Sequence, residues 1–354
     1  MERIPVILEE RSYEVLLDDG IAARPGKAVR EVVPGRAVAL VTDDHVAPLY
    51  LDHAEQSLQK AGFRTESLVL PHGEAAKSFA SLEKVYDFLA RARITREDAV
   101  LALGGGVIGD LAGFAAATWL RGVRLIQVPT SLLAQVDASV GGKTAVDLPA
   151  GKNLVGAFWQ PSLVLCDPQV LQTLPDRDWR SGLGEVVKYA CIRDTKLFDR
   201  LERLAPGGRA ALAAEAGPLA ARCIRMKALF VAADEHDTGE RQLLNFGHTL
   251  GHAIECCEHY RGHSHGEAVA IGMAEITRRS EAAGQTVPGT AARLTNLLKA
   301  LGLPDQLPDI PRARLLEAVA SDKKQGAEGL RCVLLRKIGS ARLQSVEPGW
   351  LLPG

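Results

Sequence analysis

Residues 99–117 read AVLALGGGVIGDLAGFAAA. An apolar strand is predicted to end in Gly104-Gly105-Gly106, with a helix beginning near Val107 and carrying Ile108, Gly109 and Asp110 in its first turn. Gly104, Gly106 and Gly109 satisfy GxGxxG, and the strand before and helix after supply the context that a dinucleotide fingerprint requires. Glycines let the backbone approach a phosphate, and the free N–H groups of a helix N-terminus favour an anion. The acid that such a fingerprint places about 20 residues further on is missing, because Arg121 and Arg124 stand there. Asp43 is the better candidate for a ribose. The same glycines also suit a tight strand-to-helix turn with no ligand.

Upstream, residues 4–17 read as two short strands with a charged turn, an opening hairpin. RAVALVTDDHVAP (36–48) is a buried strand with Asp43 and Asp44 at its carboxyl end. Residues 52–61 look helical, ESLVL (66–70) is another strand, and the polar loop PHGEAAKS precedes a helix from about Ser81 to Ala92. Strand and helix in regular succession predict a parallel, Rossmann-like sheet. Downstream, LIQV (125–128) is a strand with Thr130 and Ser131 near its end, and SLVLCDP (162–168) is the last one. Between them lie Asp137, Gly141-Gly142-Lys143 and Gly151-Lys152-Asn153. Lysines beside glycines offer a flexible cation and an unobstructed backbone to a phosphate or carboxylate.

After LQTLPDRDW the composition shifts to Ala, Leu, Arg and Glu, which predicts a helical domain. The length of 354 residues fits two domains, placed at 1–177 and 178–354. In the second, SGLGEVVKYACI (181–192) sets Glu185 and Lys188 three apart on one apolar helix, and a buried Glu needs a partner or a metal. Then RQLLNFGHTLGHAIECCEHYRGHSHGEAVAIGM (241–273) holds five of the nine histidines: His248, His252, His259, His263 and His265. His248 and His252 share a helix face, and a returning chain could bring His265 back to it. Single histidines are usually surface or core residues, but a group beside Asn245 and Glu267 favours a metal. Histidine is the commonest zinc ligand, and a catalytic zinc keeps three protein ligands. No HExxH is present, so a third ligand must come from elsewhere, and Glu185 is the best candidate. A short strand (CVLL, 332–335) follows the basic pair Lys323 and Lys324.

Lys plus Arg number 42 and Asp plus Glu 43, a net charge of −1, which gives no electrostatic case for nucleic acid or an anionic membrane. The N-terminus has charges where a signal peptide needs its apolar core, and no run of about 18 apolar residues exists. Six cysteines without CxxC spacing read as reduced thiols, which predicts a cytoplasmic protein.

Taken together, these segments resemble the 3-dehydroquinate synthase family of sugar-phosphate cyclases. The matching pieces are HGEAAK (72–77), GGGVIGDLAGFAA (104–116), PTSLLAQVDASVGGKTAVD (129–147), GKNLVGAFWQP (151–161), GEVVKY (184–189), LNFGHTLGHAIE (244–255) and HGEAVAIGM (265–273). The resemblance implies an NAD-binding α/β domain followed by an all-α domain, an active site between them, and a homodimer. It implies one divalent ion, Zn2+ or Co2+, on Glu185, His248 and His265, which removes His252 from the ligands. It implies NAD contacts at Asp43, His72, Gly73, Glu74, Lys77, Gly104, Gly105, Gly106, Val107, Ile108, Gly109, Asp110, Thr130, Ser131, Lys143, Lys152, Val170, Leu171, Gln172 and Thr173. Contacts to the substrate's phosphate and carboxylate would fall on Arg121, Asp137, Lys143, Lys152, Asn153, Lys188, Lys227, Arg241, Asn245, His252 and one or both of Lys323 and Lys324. Gly184 stands where Ala is common and Ala138 where Ser is common; neither removes a chemical group.

The implied reaction converts 3-deoxy-D-arabino-heptulosonate 7-phosphate to 3-dehydroquinate and phosphate. A carbinol carbon is oxidised transiently, phosphate leaves by β-elimination, the carbon is reduced again, and the ring opens and recloses by an aldol step. His252 is the candidate proton relay. Competing readings are a cyclase acting on another sugar phosphate, a metal-dependent alcohol dehydrogenase of the glycerol dehydrogenase type, and an inactive scaffold.

Overall fold

The structure, a computed structural model, describes residues 1–321, 325–326 and 329–352. The chain divides into two compact units, one of residues 1–174 with 227–236 and one of residues 175–226 with 237–354.

The first unit is built on a seven-stranded sheet. Its strands are β1 (Glu2–Val6), β2 (Tyr13–Leu17), β3 (Ala37–Asp43), β4 (Arg64–Leu70), β5 (Ala99–Gly104), β6 (Arg124–Pro129) and β9 (Leu163–Cys166), in the order β1-β2-β9-β6-β5-β3-β4. Only the β1–β2 pair is antiparallel. Helices α1 (Gly26–Val32), α2 (Ala47–Lys60), α3 (Phe79–Arg91) and α4 (Gly106–Thr118) connect them. Every residue of β3 and β5 is buried, as expected for parallel strands covered on both faces. The chain runs from β3 outward to β4, then returns past β3 to lay down β5 and continue the other way through β6. The carboxyl ends of β3 and β5 therefore flank the switch point at which open α/β sheets bind ligands. β4, at the open edge, carries Arg64 and Glu66, exposed and paired at 2.7 Å.

The sequence reading assigns no strand to residues 143–158. They form the two-stranded hairpin β7 (Lys143–Leu148) and β8 (Gly151–Phe158). Pro149, Gly151 and Gly156 interrupt the apolar alternation that would have announced it, and the register slips between Val146 and Leu148. Gly156 has a packing reason, since a Cβ there would lie 2.0 Å from the Thr144 carbonyl oxygen. Asp98 ties the rear of the sheet together. Its carboxylate, 5% exposed, accepts the backbone N–H groups of Arg36 and Ala37 at 2.9 and 2.8 Å and those of Thr95 (N–H and hydroxyl) at 2.8 and 2.7 Å.

The second unit contains α5 (Asp176–Arg193), α6 (Thr195–Leu204), α7 (Gly208–Ala214), the start of α8 (Ala216–Ala233), α9 (His248–Cys257), α10 (His265–Ala282), α11 (Thr290–Ala300) and α12 (Arg312–Ser321). A small antiparallel sheet, β10 (Gln325–Gly326), β11 (Gly329–Lys337) and β12 (Ser340–Val346), closes it, and β11 contains the predicted CVLL strand. Among the described residues no helix is long and apolar enough to cross a membrane, and none of the six cysteines is in a disulfide.

Three helices of this unit meet backbone to backbone. A Cβ on Gly266 of α10 would lie 1.8 Å from the Ser181 carbonyl oxygen of α5, and one on Gly184 would lie 2.5 Å from the Gly266 carbonyl oxygen. On the other side of α10, a Cβ on Gly272 would lie 2.1 Å from the carbonyl oxygen of Gly247. Gly247 is left-handed (φ 80°) and immediately precedes α9. Only glycine permits these approaches.

Two expectations follow. Gly266→Ala should force α5 and α10 apart and cost about 1–3 kcal/mol or more. That is a fall in Tm of about 2–4 °C per kcal/mol for a unit of this size. An unchanged calorimetric Tm would contradict the packing. The second concerns acid. Burial alone would raise the pKa of Asp98, but the hydrogen bonds from Thr95, Ala37 and Arg36 outweigh it and hold it below the usual 3.8. Its stabilisation is thus fully present above the unfolded-state pKa and is lost as the pH falls through the lower folded-state value. Asp98→Asn should lower stability at neutral pH by about 1–3 kcal/mol and flatten the acid limb of a stability–pH curve. Parallel curves for the two proteins would rule this out.

Candidate active site

In the first unit, Asp43 ends β3 and is 8% exposed. Its Oδ1 accepts the N–H groups of His45 and Val46, each at 2.9 Å. At the end of β5, the Gly104 carbonyl accepts the Thr130 N–H at 2.9 Å. A Cβ on Gly104 would meet the Ile108 side chain at 2.7 Å, and one on Gly105 would lie 3.5 Å from the Ser131 hydroxyl. Ile108 itself is buried, so it shapes the turn by packing, while Gly105, Gly106 and Val107 remain partly accessible.

Lys77, 4% exposed, is the hub beside this turn. Its Nζ lies 2.5 Å from Asp110 Oδ2 and 2.5 Å from Asn153 Oδ1. Burial would lower its pKa, but the carboxylates of Asp110, Glu74 and Asp147 outweigh that and raise it, so the ammonium stays charged. Lys152 reaches Glu74 at 3.4 Å. The Asn153 N–H donates to Asp147 at 2.8 Å, with Asn153 in the left-handed region (φ 55°) that Asn tolerates better than most residues. Five predicted residues, Glu74, Lys77, Asp110, Lys152 and Asn153, therefore come together in one network. Asp137 sits on a π-helical turn (Ala134–Ala138), and its Oδ1 pairs with Lys227 at 2.5 Å.

Other predicted residues are placed differently. His72 is exposed and pairs with Asp44 at 2.8 Å, beside exposed Gly73. Val170 and Leu171 are core residues on the 3-10 turn Pro168–Thr173, so only their backbone is available to a ligand, whereas Gln172 and Thr173 are exposed. Arg121 is exposed on a left-handed turn with Leu120 and Gly122, and Lys143 is exposed at the start of β7. Gly109 packs against Gln127, where a Cβ would lie 2.8 Å from the amide oxygen. Lys323 and Lys324 lie outside the described residues.

Among the described residues the second unit holds two overlapping groups that could take a metal, Glu185 with His248 and His265, and His252 with Glu255 and His265. Donor atoms of Glu185, His248 and His265 all lie within 4.8 Å of one another. Glu185, in the middle of α5, is fully buried; its Oε1 is 3.6 Å from His248 Nε2 and 3.3 Å from His265 Nε2. The opposite ring nitrogens are both engaged: His248 Nδ1 faces the Phe246 carbonyl at 3.2 Å, and His265 Nδ1 faces Glu255 Oε2 at 3.1 Å. Nδ1–H donated outward in both rings would leave both Nε2 lone pairs on the Glu185 side, the tautomer that a metal requires. Two carboxylates on one imidazole call for a cation. Burial would lower the His265 pKa, yet hydrogen bonds to Glu185 and Glu255 outweigh it and push it up to about 10. A divalent ion beside Glu185 meets the same demand, so the residues fit a metal of the zinc type.

His252 stands next to the cluster, its ring centre 5.4 Å from that of His248 and 5.9 Å from that of His265. Lys188 is 1% exposed and pairs with Glu185, and Arg241 is likewise 1% exposed on the turn that carries half-buried Asn245 into α9. Glu255 was missed at the level of sequence. The available signal was its spacing, three after His252 and seven after His248, which puts it on their helix face.

The profile of the 3-dehydroquinate synthase N-terminal domain matches residues 67–181, and that of the C-terminal domain matches residues 182–325. A 3-dehydroquinate synthase of Clostridium acetobutylicum is 43% identical over 98% of this chain and 97% of its own length. Among solved structures, 2-epi-5-epi-valiolone synthase of Streptomyces hygroscopicus, with NAD+ and Zn2+ bound, covers 98% of this chain and 96% of its own at a TM-score of 0.87 and 28% identity. A 2-deoxy-scyllo-inosose synthase complexed with carbaglucose-6-phosphate, NAD+ and Co2+ covers 99% of this chain and 98% of its own; its TM-score of 0.88 at 24% identity speaks for the fold alone. With matches that take in both units, the chain belongs to the 3-dehydroquinate synthase family.

Proposed function

We propose that this protein converts 3-deoxy-D-arabino-heptulosonate 7-phosphate to 3-dehydroquinate and inorganic phosphate, a lyase step of the shikimate pathway that serves aromatic amino acid biosynthesis. The observation that carries the reading is the convergence of Glu185 with the Nε2 atoms of His248 and His265, in a chain that also bears the glycine turn at a sheet switch point. When bound, NAD supplies a reversible hydride acceptor and the divalent ion a Lewis acid for a carbinol hydroxyl.

The chain's own groups do the rest. Asp43, with Oδ1 committed to His45 and Val46, offers Oδ2 to a ribose. The N–H groups at Gly105–Val107 would hold a pyrophosphate, and the ion pair of Lys77 with Asp110 keeps that turn rigid. Glu185, His248 and His265 would hold the ion, Zn2+ or Co2+. Arg121, Lys143, Lys152 and Asn153 would grip the leaving phosphate, while Lys188, Lys227, Arg241 and Asn245 would orient the substrate's carboxylate and hydroxyls, with Asp137 steadying Lys227. His252, beside both metal-side imidazoles, would move the proton of the carbinol hydroxyl. A homodimer in the cytoplasm belongs to the same proposal.

Phosphate release from the heptulosonate phosphate should require both NAD and metal and leave no lasting NADH absorbance. Accumulating NADH without phosphate would instead identify a dehydrogenase, and silence from a protein that holds both cofactors would point to another sugar phosphate. Separately, Glu185→Gln and His265→Ala should each weaken zinc binding by more than the roughly 10–100-fold that loss of an outer hydrogen-bond partner costs. Full zinc content after dialysis of either variant against a chelator would refute the ligand set.

A further inference from the structure

We infer that Glu255 is the positioning residue for the metal centre: it fixes His265 as a ligand and thereby sets how tightly the chain holds its divalent ion. The inference rests on the ligand set proposed above. Glu255 is 3% exposed, and its Oε2 lies 3.1 Å from His265 Nδ1. A carboxylate at that distance accepts the Nδ1 proton, so the lone pair that a metal would take is the one on Nε2, the atom 3.3 Å from Glu185. The other imidazole is held differently. His248 Nδ1 faces a peptide carbonyl, that of Phe246 at 3.2 Å, which is a neutral acceptor. The ring nitrogen of His265 that is turned away from Glu185 thus has an anionic partner. An anion behind the imidazole raises its basicity toward a metal.

The placement is built rather than incidental. Glu255 lies in the last turn of α9, and His265 is the first residue of α10. The intervening segment is clamped at both ends. The Tyr260 N–H returns to the Glu255 carbonyl at 2.8 Å, with His259 and Tyr260 both left-handed (φ 52° and 59°). Glu258 accepts the N–H and Nδ1 of His263 at 2.7 and 2.8 Å. Ser264 and Glu267 then form a reciprocal capping box that fixes the start of α10, with Ser264 N and Oγ each 2.8 Å from Glu267 Oε2. Glycine contacts at Gly184, Gly247, Gly266 and Gly272 hold α5 and α9 against α10. The separation between the Glu255 carboxylate and the His265 ring is thus determined by the backbone on either side of it.

The test is zinc affinity by chelator competition on the full-length protein, for the parent, Glu255→Gln, Glu255→Ala and Glu185→Ala. Glu255→Gln keeps size and shape and guards against a folding defect in the Ala variant. Both Glu255 variants should bind zinc about 10–100-fold more weakly while the metal-free unfolding temperature of Glu255→Gln stays close to that of the parent. The visible bands of the cobalt-loaded protein should also shift in Glu255→Gln, which a role confined to packing would not produce. If Glu185→Ala loses zinc but both Glu255 variants keep parental affinity and an unshifted cobalt spectrum, the inference about Glu255 is overturned and the ligand set stands. If Glu185→Ala itself keeps parental affinity, the ligand set fails and the inference falls with it.

Discussion

The second unit depends on the absence of side chains at four positions. Gly184, Gly247, Gly266 and Gly272 let α5 and α9 touch α10 through main-chain atoms. Helices packed through ordinary side chains stand 8–10 Å apart. A glycine-lined crossing brings them closer, and here it brings the residues beside the glycines closer too. Glu185 follows Gly184, His265 precedes Gly266 and His248 follows Gly247. Each proposed metal ligand is the chain neighbour of a contact glycine, so one constraint sets both the packing and the geometry of the donor atoms. Burying Glu185 completely is tolerable only because Lys188 and the two imidazoles surround it.

The first unit relies on a different device. There the backbone supplies the open glycine turn, and buried charge gives it rigidity. Lys77 would be costly at 4% exposure without partners; with Asp110 and Asn153 in contact and Glu74 and Asp147 close by, it becomes a strut between the loop after β4, helix α4 and the β7–β8 hairpin. The side chains that join these elements come from segments far apart in sequence, which is why a local pattern such as GxGxxG says little by itself. The network around it makes the turn a candidate site.

Much of this was legible in the sequence. The opening hairpin, the parallel strands and the helical second half follow from apolar runs, alternation and punctuation by glycine and proline. The histidine group and the buried Glu185 were visible as residue types in suspicious places, and the family resemblance narrowed them to three. What escaped was whatever depends on long-range contact. The β7–β8 hairpin lacks a clean period because Gly151 and Gly156 break its apolar alternation and its register slips between Val146 and Leu148. Val170 and Leu171 look like any loop-edge residues until the fold buries them. Glu255 carries no local mark of its role, because its partner lies in another helix, and its spacing from His248 and His252 acquires meaning only once α10 is in place. The closeness of Gly184 to Gly266 is invisible to any reading of one helix at a time.

The open edge of the large sheet has a consequence for assembly. A free parallel edge is a template on which other strands can pair, and proteins guard such edges with charge. β4 does so with Arg64 and Glu66, both exposed and bonded to each other along the strand. Joining two copies edge to edge would bury those charges at a desolvation cost that few new backbone hydrogen bonds could offset. The charged pair thus guards the β4 edge against the addition of a further strand.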